Sequence, residues 1–439
     1  MNKFFTNPFK GMRDFMLLWG SQALSALGSS MTSFALIIWS YEQEGSALVT
    51  ALLTICSYTP YVLLSVFAGA LSDRWNKKKI MLVCDTFAAA CTLLIFFLLQ
   101  TGRLEIWHLY LLNALNGLMN TFQQPAADVS ISLLVPKEQY QRIGALQNFS
   151  SSLVSILTPA LAAAVLAFAG IHWVIFFDLV TFLVAFLTLA LFIRIPSPEH
   201  PEEKREKLRD SIVGGLAFLG KNRGILNLMW FLAAINLIAS MYEAALAPML
   251  LSRQGGSELA LGWVNACTGA ANLLGSILAA VMKTPRSRVK AICVTLFVSM
   301  STENFLLAFG RTIPVWCLGA VLGWVLIPIM STNLNALMRT HIPVEIQGRV
   351  YAIRNSFQFF TIPLGYLLGG ILVDQVCEPF MAAQKPDSLL VLLLGSGKGS
   401  GAALLFLVLA FAGIGVCAVF SRNREIWKLE AVDKSTKIR

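Results

Sequence analysis

Polar side chains recur at helical spacing within one apolar stretch of the chain, residues 106–125. Asn113, Asn116, Asn120 and Gln124 are three or four positions apart, so they share one face of a helix. Amide groups facing hydrocarbon are costly, and this face should line a water-accessible cavity or pack on other helices. Polar residues in three other apolar stretches favour the cavity. They are Gln22, Ser25, Ser29, Asn236, Ser240, Glu243, Asn333 and Asn335.

One acid, Glu243, is placed to bind and release a proton. It lies in the apolar stretch 225–250, where a carboxyl group with little water around it can hold a proton near neutral pH. The alternative is a carboxylate near the outer end of that stretch, satisfied by water. Glu303 and Asp178 also lie in apolar stretches and are weaker candidates for the same role.

The sequence shows no site of soluble-enzyme chemistry. Its 8 cysteines and 4 histidines have no metal-ligand spacing, so we expect neither a metal site nor a disulfide framework. The glycine-rich run 395–400 lacks the strand, the helix and the spacing of a phosphate-binding loop. No nucleophile–base pair is visible, which argues against an intramembrane enzyme. We therefore expect no cofactor and no enzymatic activity.

The composition is that of a polytopic membrane protein. Of the 439 residues 56% are hydrophobic and 13% charged, whereas soluble domains average about 25% charged residues. Twelve apolar runs are long enough to cross a bilayer as helices, and we number them span 1 to span 12. They cover residues 15–39, 48–70, 80–100, 106–125, 143–169, 174–195, 225–250, 259–282, 291–309, 315–338, 350–373 and 401–420.

The basic residues predict the orientation of these spans. Alternate segments between the spans, starting at the N-terminus and counted with the adjoining helix ends, hold 29 of the 34 Lys and Arg residues. The positive-inside rule then places both termini in the cytosol. The same distribution explains the net charge of +10 as attraction to anionic lipid, so we expect no nucleic-acid partner.

The longest polar stretch between spans divides the chain into two halves. We predict a six-helix bundle over residues 1–195, a cytoplasmic linker with an amphipathic helix over 196–223, a second six-helix bundle over 224–420, and a cytoplasmic tail over 421–439.

A short basic turn, residues 69–79, joins spans 2 and 3. It contains Gly69, Asp73, Arg74 and Lys77, and Asn76, a residue type that tolerates left-handed backbone. The pattern resembles the loop between the second and third helices of the major facilitator superfamily, where glycine usually stands at the position of Asn76. This resemblance implies a fold of twelve transmembrane helices in two bundles, with spans 1, 4, 7 and 10 around a central cavity.

The resemblance also implies a gate on the inner side. Asp73 would meet the N-terminus of span 11, and Lys77 would pair with Asp128 at the inner end of span 4. Such contacts would exist in the outward-facing conformer and break on inward opening, as a two-state switch requires.

Most of the chain is similar to the bacterial drug–proton antiporters that include macrolide-efflux proteins. The similarity lies in the runs 19–22, 27–28, 133–138, 158–160 and 342–350. It implies export from a bacterial cell membrane. One departure is Ala114, three residues before Gly117, where such exporters often carry an arginine implicated in proton transfer.

These observations predict a monomeric secondary transporter that exports hydrophobic or amphiphilic compounds by proton antiport. Its partners would be that small-molecule substrate, protons and the lipid bilayer. Two alternatives stay open: a carrier of the same fold for a metabolite, siderophore or lipid, and a membrane sensor or scaffold that transports nothing.

Overall fold

The computed structural model describes residues 13–134, 140–195, 216–283, 285–342 and 344–436. Within these ranges the protein is built from helices and contains no strand. The helices are α1 Arg13–Glu44, α2 Ala47–Arg74, α3 Lys77–Gln100, α4 Ile106–Leu134, α5 Tyr140–Ala169, α6 Ile171–Leu187, α7 Arg223–Ser252, α8 Glu258–Val281, α9 Arg288–Phe309, α10 Ile313–Trp324, α11 Ile327–His341, α12 Val344–Ile371, α13 Glu378–Ala382, α14 Leu389–Leu394, α15 Ser400–Ser421 and α16 Arg424–Thr436.

The helices confirm the all-α membrane fold. Eleven segments of the described chain are long and apolar enough to cross a bilayer. The amide-bearing α4 is not among them, but its 29 residues rise about 43 Å, enough for a twelfth crossing. Large apolar side chains stay exposed on the helix surfaces, as lipid-facing groups do; Phe168 is 88% exposed and Phe97 62%.

Two compact units make up the chain. One contains Met1–Ser40 and Cys56–Glu202, and the other contains Tyr41–Ile55 and Glu203–Arg439. The C-terminal end of α1 and the first turns of α2 therefore group with the second unit. Of the predicted linker, residues 196–215 lie outside the described chain, and residues 216–221 are helical.

In the first unit, α3 packs on α4 and α6. Its core joins Met81 of α3 to Leu18 of α1, Ala126 of α4 and Leu189 beyond α6. Gly117 of α4 allows a close approach to α2, since a Cβ there would lie 2.0 Å from the Ser57 carbonyl oxygen.

In the second unit, α7 packs along α12, and α9 packs on α15. Gly365 and Gly369 lie one turn apart on α12 and let its backbone approach α7; a Cβ on Gly365 would lie 2.8 Å from the Leu237 carbonyl oxygen. The structure divides span 10, which the hydropathy predicted as one helix, into α10 and α11 with Val325 and Leu326 between them.

The turn before α3 corrects one expectation. Asn76 has φ −65°, so it does not use left-handed backbone. Instead its side chain caps α3 by accepting the backbone N–H of Lys79 at 3.1 Å. Lys78 donates to the carbonyl oxygens of Ala190 at 3.0 Å and Ile193 at 2.7 Å, so this basic residue bonds the C-terminal end of span 6.

Candidate functional site

The amide residues of α4 occupy an edge of the helix that is distinct from its apolar surface. Asn113 and Asn116 are half-buried, and Asn120 is exposed. The apolar Leu111, which is 52% exposed, precedes Asn120 by nine residues and so lies about 180° around the helix. Asn113 donates to the Leu109 carbonyl oxygen of its own helix, while Oδ1 of Asn116 is buried without a partner.

Gln22, predicted to line the cavity, takes part in a buried network of the first unit. Its Nε2 donates to Oδ2 of Asp85 on α3 at 3.4 Å, and Nε2 of Gln123 on α4 donates to Oδ1 of the same residue. Asp85 is 8% exposed. The carboxyl therefore ties α1, α3 and α4 together.

Asp178 has a comparable structural position on α6. Its Oδ1 accepts the Ser29 hydroxyl of α1 at 2.9 Å, and the side chain is 3% exposed. Gly28 beside it makes room, because a Cβ there would lie 2.9 Å from Cα of Asp178. These contacts assign Asp178 to helix packing between α1 and α6.

The inner gate residues are only partly described. The side chains of Gly69, Asp73, Arg74 and Asp128 lie outside the described part, so the gate implied by the sequence stays a prediction. Lys77 is described; it is 3% exposed, and its Nζ donates to the Trp75 carbonyl oxygen at 3.1 Å.

The second unit contains the other three residues predicted for the cavity. Asn236 on α7 donates to the Thr361 hydroxyl of α12 at 2.8 Å. Asn333 on α11 is 8% exposed and donates to the Ile329 carbonyl oxygen of its own helix at 2.8 Å. Glu243 on α7 is half-buried. Both amides are thus engaged, Asn236 between two helices and Asn333 within its own helix.

Glu303, a weaker candidate in the sequence, lies deeper than Glu243. It is 3% exposed on α9, and its Oε1 accepts the indole N–H of Trp324 at 2.9 Å. Tyr242, next to Glu243, is also buried and lies beside the same carboxyl. The sequence places an acid in span 9 but does not indicate this burial.

An acid that the sequence analysis did not select, Asp374, caps the start of α2. It lies in a π-helical turn, Leu372–Cys377, after α12. Its carboxylate accepts the backbone N–H groups of Ala47 at 3.0 Å and Leu48 at 2.8 Å, and the Ser46 hydroxyl at 2.6 Å. Carboxylates at helix N-termini are favoured by the unpaired N–H groups and by the helix dipole.

Two further polar side chains, Glu378 and Arg253, bond backbone groups near Asp374 in the second unit. Oε1 of Glu378 accepts the backbone N–H of Gly399 at 2.8 Å, next to the start of α15. Arg253, which is 7% exposed, donates to the carbonyl oxygens of Leu307, Ala308 and Leu394 at 2.8–2.9 Å. Burial, with Arg311 nearby, lowers the pKa of Arg253 to about 10, so it stays charged at neutral pH.

No group of three or more His, Cys, Asp or Glu side chains in the described ranges is arranged to hold a metal ion. The candidate residues of each unit carry amide, hydroxyl and carboxyl groups on apolar helices. Such groups bind small molecules and protons.

The sequence profile of the Major Facilitator Superfamily matches residues 18–246. The chain belongs to this superfamily. It is a multi-pass membrane transporter of that family and not an enzyme. The predicted family and fold class are thereby confirmed.

Two efflux proteins are similar to most of this chain. Macrolide efflux protein A of Streptococcus pyogenes is 24% identical over 367 residues, which cover 82% of this chain and 90% of that protein. The multidrug efflux pump Tap of Mycolicibacterium fortuitum is 24% identical over 409 residues, 89% of this chain and 95% of the pump.

Solved transporter structures share the fold. The nucleoside transporter NupG superposes with a TM-score of 0.68 at 12% identity, over 92% of this chain and 99% of that one. A bacterial homologue of the human lysosomal transporter Spinster gives a TM-score of 0.66 at 13% identity, over 97% and 96% of the two chains. At these identities the likeness concerns the fold alone.

Proposed function

We propose that this transporter exports hydrophobic or amphiphilic compounds of the macrolide type from a bacterial cell, driven by proton antiport. The observation that carries the proposal is similarity to two efflux proteins over more than four fifths of this chain. The exposed amide edge of α4, opposite the apolar Leu111, supports it, because an amphiphilic substrate needs hydrogen-bonding groups beside apolar surface.

The proposed substrate-binding residues are those that the sequence selected: Gln22, Asn113, Asn116, Asn120, Asn236, Glu243 and Asn333. Asn116 and Asn120 are the strongest among them. The amide of Asn116 has an unpartnered buried oxygen, and Asn120 is exposed. Gln22 and Asn236 would first have to release Asp85 and Thr361.

Glu243 is the proposed proton-coupling residue. It is half-buried on α7, so it can exchange a proton with water in one conformer and lose that water in another. Antiport would follow if the proton and the substrate compete for the same conformer.

Alternating access needs contacts that exist in one conformer and are absent in another. The Asp374 cap qualifies, because it holds residues 46–48 within the second unit, whereas the rest of α2 from Cys56 onward belongs to the first. We propose that the cap is released when the outer end of α2 moves. We also propose that the contacts of the inner gate, formed by Asp73, Arg74, Lys77 and Asp128, are made in one conformer and broken in the other.

Efflux from whole bacteria tests the function. Cells lacking other macrolide pumps would express the protein and be loaded with erythromycin or ethidium, with and without a protonophore. We expect lower accumulation than in the vector control, and equal accumulation once the protonophore is present. Unchanged accumulation of both compounds would contradict drug export; export that the protonophore leaves intact would contradict proton coupling alone. If expressing cells and the vector control accumulate every tested amphiphile equally, a metabolite carrier or a sensor is favoured.

A further inference from the structure

A carboxyl group is buried inside the second unit. Glu303 of α9 is 3% exposed. In the part of the chain that the structure describes, its carboxyl accepts one well-aligned hydrogen bond, from the indole N–H of Trp324 at 2.9 Å. A single neutral donor stabilises a buried negative charge poorly, whereas it satisfies a neutral carboxylic acid well. The geometry is that of a site that prefers its proton bound.

Two glycines of α10 lie against Glu303. A Cβ on Gly323 of α10 would lie 2.2 Å from Oε2 of Glu303, and one on Gly319 would lie 3.4 Å from its backbone oxygen. These glycines are one turn apart, so one face of α10 is shaped to receive the acid. Water has little room between them while the two helices stay together.

Within the part of the chain that the structure describes, the ionisable groups beside Glu303 come from one helix. They are Tyr242 and Glu243, neighbours on α7. The hydroxyl of Tyr242 is buried without a hydrogen-bond partner of good geometry, and the residue is 4% exposed. An orphaned hydroxyl beside a carboxyl can donate to it when the carboxyl is charged. Glu243, a second acid, disfavours that charge.

Helix α10, which packs against Glu303, ends at the residue that bonds this carboxyl. Trp324, its hydrogen-bond donor, is the last residue of α10, and Val325 and Leu326 separate α10 from α11. On the other side of this break, Gly275 of α8 lies against the backbone, since a Cβ there would be 2.2 Å from the Val325 carbonyl oxygen. The break in span 10 is therefore held between Glu303 and Gly275.

We propose that Glu303 is a proton-binding site whose charge controls the break between α10 and α11. With the proton bound, the neutral acid fits against Gly323 and keeps the bond from Trp324. When the proton leaves to water, the carboxylate needs more donors than Tyr242 and Trp324 supply. It draws in water, α10 separates from α9, and the break loosens. The site adds a second acid to the proposed coupling by Glu243.

Infrared spectroscopy of the full-length protein in lipid nanodiscs tests the proton site. The wild type should show the carbonyl stretch of a protonated buried carboxylic acid that fades as the pH rises. Glu303→Gln, which keeps an acceptor for Trp324 but cannot titrate, should lack this band. Trp324→Phe should shift its frequency because the indole donor is gone, while Trp263→Phe, at a residue that is 60% exposed, should not. An unchanged band in Glu303→Gln would overturn the proposal.

Hydrogen–deuterium exchange tests the link to the break. In the wild type, peptides covering residues 323–330 should exchange faster at the pH where the band is lost, after correction for the intrinsic pH effect. Glu303→Gln should exchange slowly at both pH values. The same pH response in this variant would overturn control of the break by Glu303. Although the inference deepens the proposed proton antiport, neither measurement uses a transported compound, so a failed efflux assay would leave it standing.

Discussion

The carboxylate of Asp374 accepts the backbone N–H of Leu48 at 2.8 Å, across 326 positions of the chain. The same side chain bonds the N–H of Ala47 and the hydroxyl of Ser46, whose own oxygen accepts the N–H of Val49 at 3.2 Å. The first turn of α2 is therefore completed by an acid from another helix. Glu378, one turn further on, does the same for the start of α15.

Asp374→Asn should loosen the first turn of α2. The amide retains a single acceptor oxygen and loses its charge, and a lost cap costs about 1 kcal/mol, or roughly fivefold in the opening equilibrium. Deuterium exchange at residues 47–49 should rise accordingly, and the efflux rate should change. Glu378→Gln is the matched control and should raise exchange at residues 399–402 instead. Equal exchange at residues 47–49 in the wild type and Asp374→Asn would refute the cap.

Glu243→Gln should uncouple export from protons, because glutamine cannot carry one. In proteoliposomes we expect the variant to lose substrate-driven proton movement while it still binds the substrate. Glu44→Gln, at the exposed end of α1, is the control and should behave as the wild type. Proton movement at the wild-type rate in Glu243→Gln would exclude this residue as the coupling site.

Asp73→Asn should reduce transport and leave membrane insertion intact. The prediction follows from the implied contact of Asp73 with the start of span 11, where a carboxylate is favoured over an amide. Efflux and the amount of protein in purified membranes would be measured together. Asp387→Asn, at an exposed acid between α13 and α14, is the control. Wild-type transport by Asp73→Asn would rule this gate out.

Gly117→Ala should destabilise the first unit. The added methyl would lie 2.0 Å from the Ser57 carbonyl oxygen, so α2 and α4 would be forced apart. We expect this to lower the free energy of unfolding by about 1–3 kcal/mol. Gly20→Ala on α1 has no neighbouring atom within 4 Å and should be neutral or stabilising. Thermal unfolding in detergent compares the two variants. A lower melting temperature for Gly20→Ala than for Gly117→Ala would contradict the packing.

Arg253→Lys should lower the melting temperature, since an ammonium cannot reach three carbonyl oxygens in the planar fork geometry of a guanidinium. Arg311→Lys, at an exposed residue, should have a smaller effect. Burial lowers the pKa of Arg253 to about 10, below its usual value. The unfolded chain therefore binds more protons than the folded protein only near and above about pH 10, and this residue adds no pH dependence to stability at neutral pH. The difference from the wild type should therefore stay constant across neutral pH. A difference that varies between about pH 6 and pH 8 would mean that another group is responsible.

Local properties of the sequence were enough to predict the helices. Hydropathy predicted where helices form, with most ends within a few residues, because each crossing must satisfy its backbone internally and face lipid. The amide face of α4 followed from spacing alone. The break in span 10 could not be predicted in this way, since Val325 and Leu326 are as apolar as the residues of an unbroken membrane helix.

Tertiary structure decided what the buried acids do. Asp85, Asp178, Glu303 and Asp374 are all acids within or beside apolar spans, and the sequence does not show which groups each of them contacts. Asp85 joins three helices, Asp178 packs α6 on α1, Glu303 is enclosed by α10, and Asp374 caps α2. Hydropathy is a property of one segment, whereas the partner of an acid is supplied by another segment at any separation along the chain.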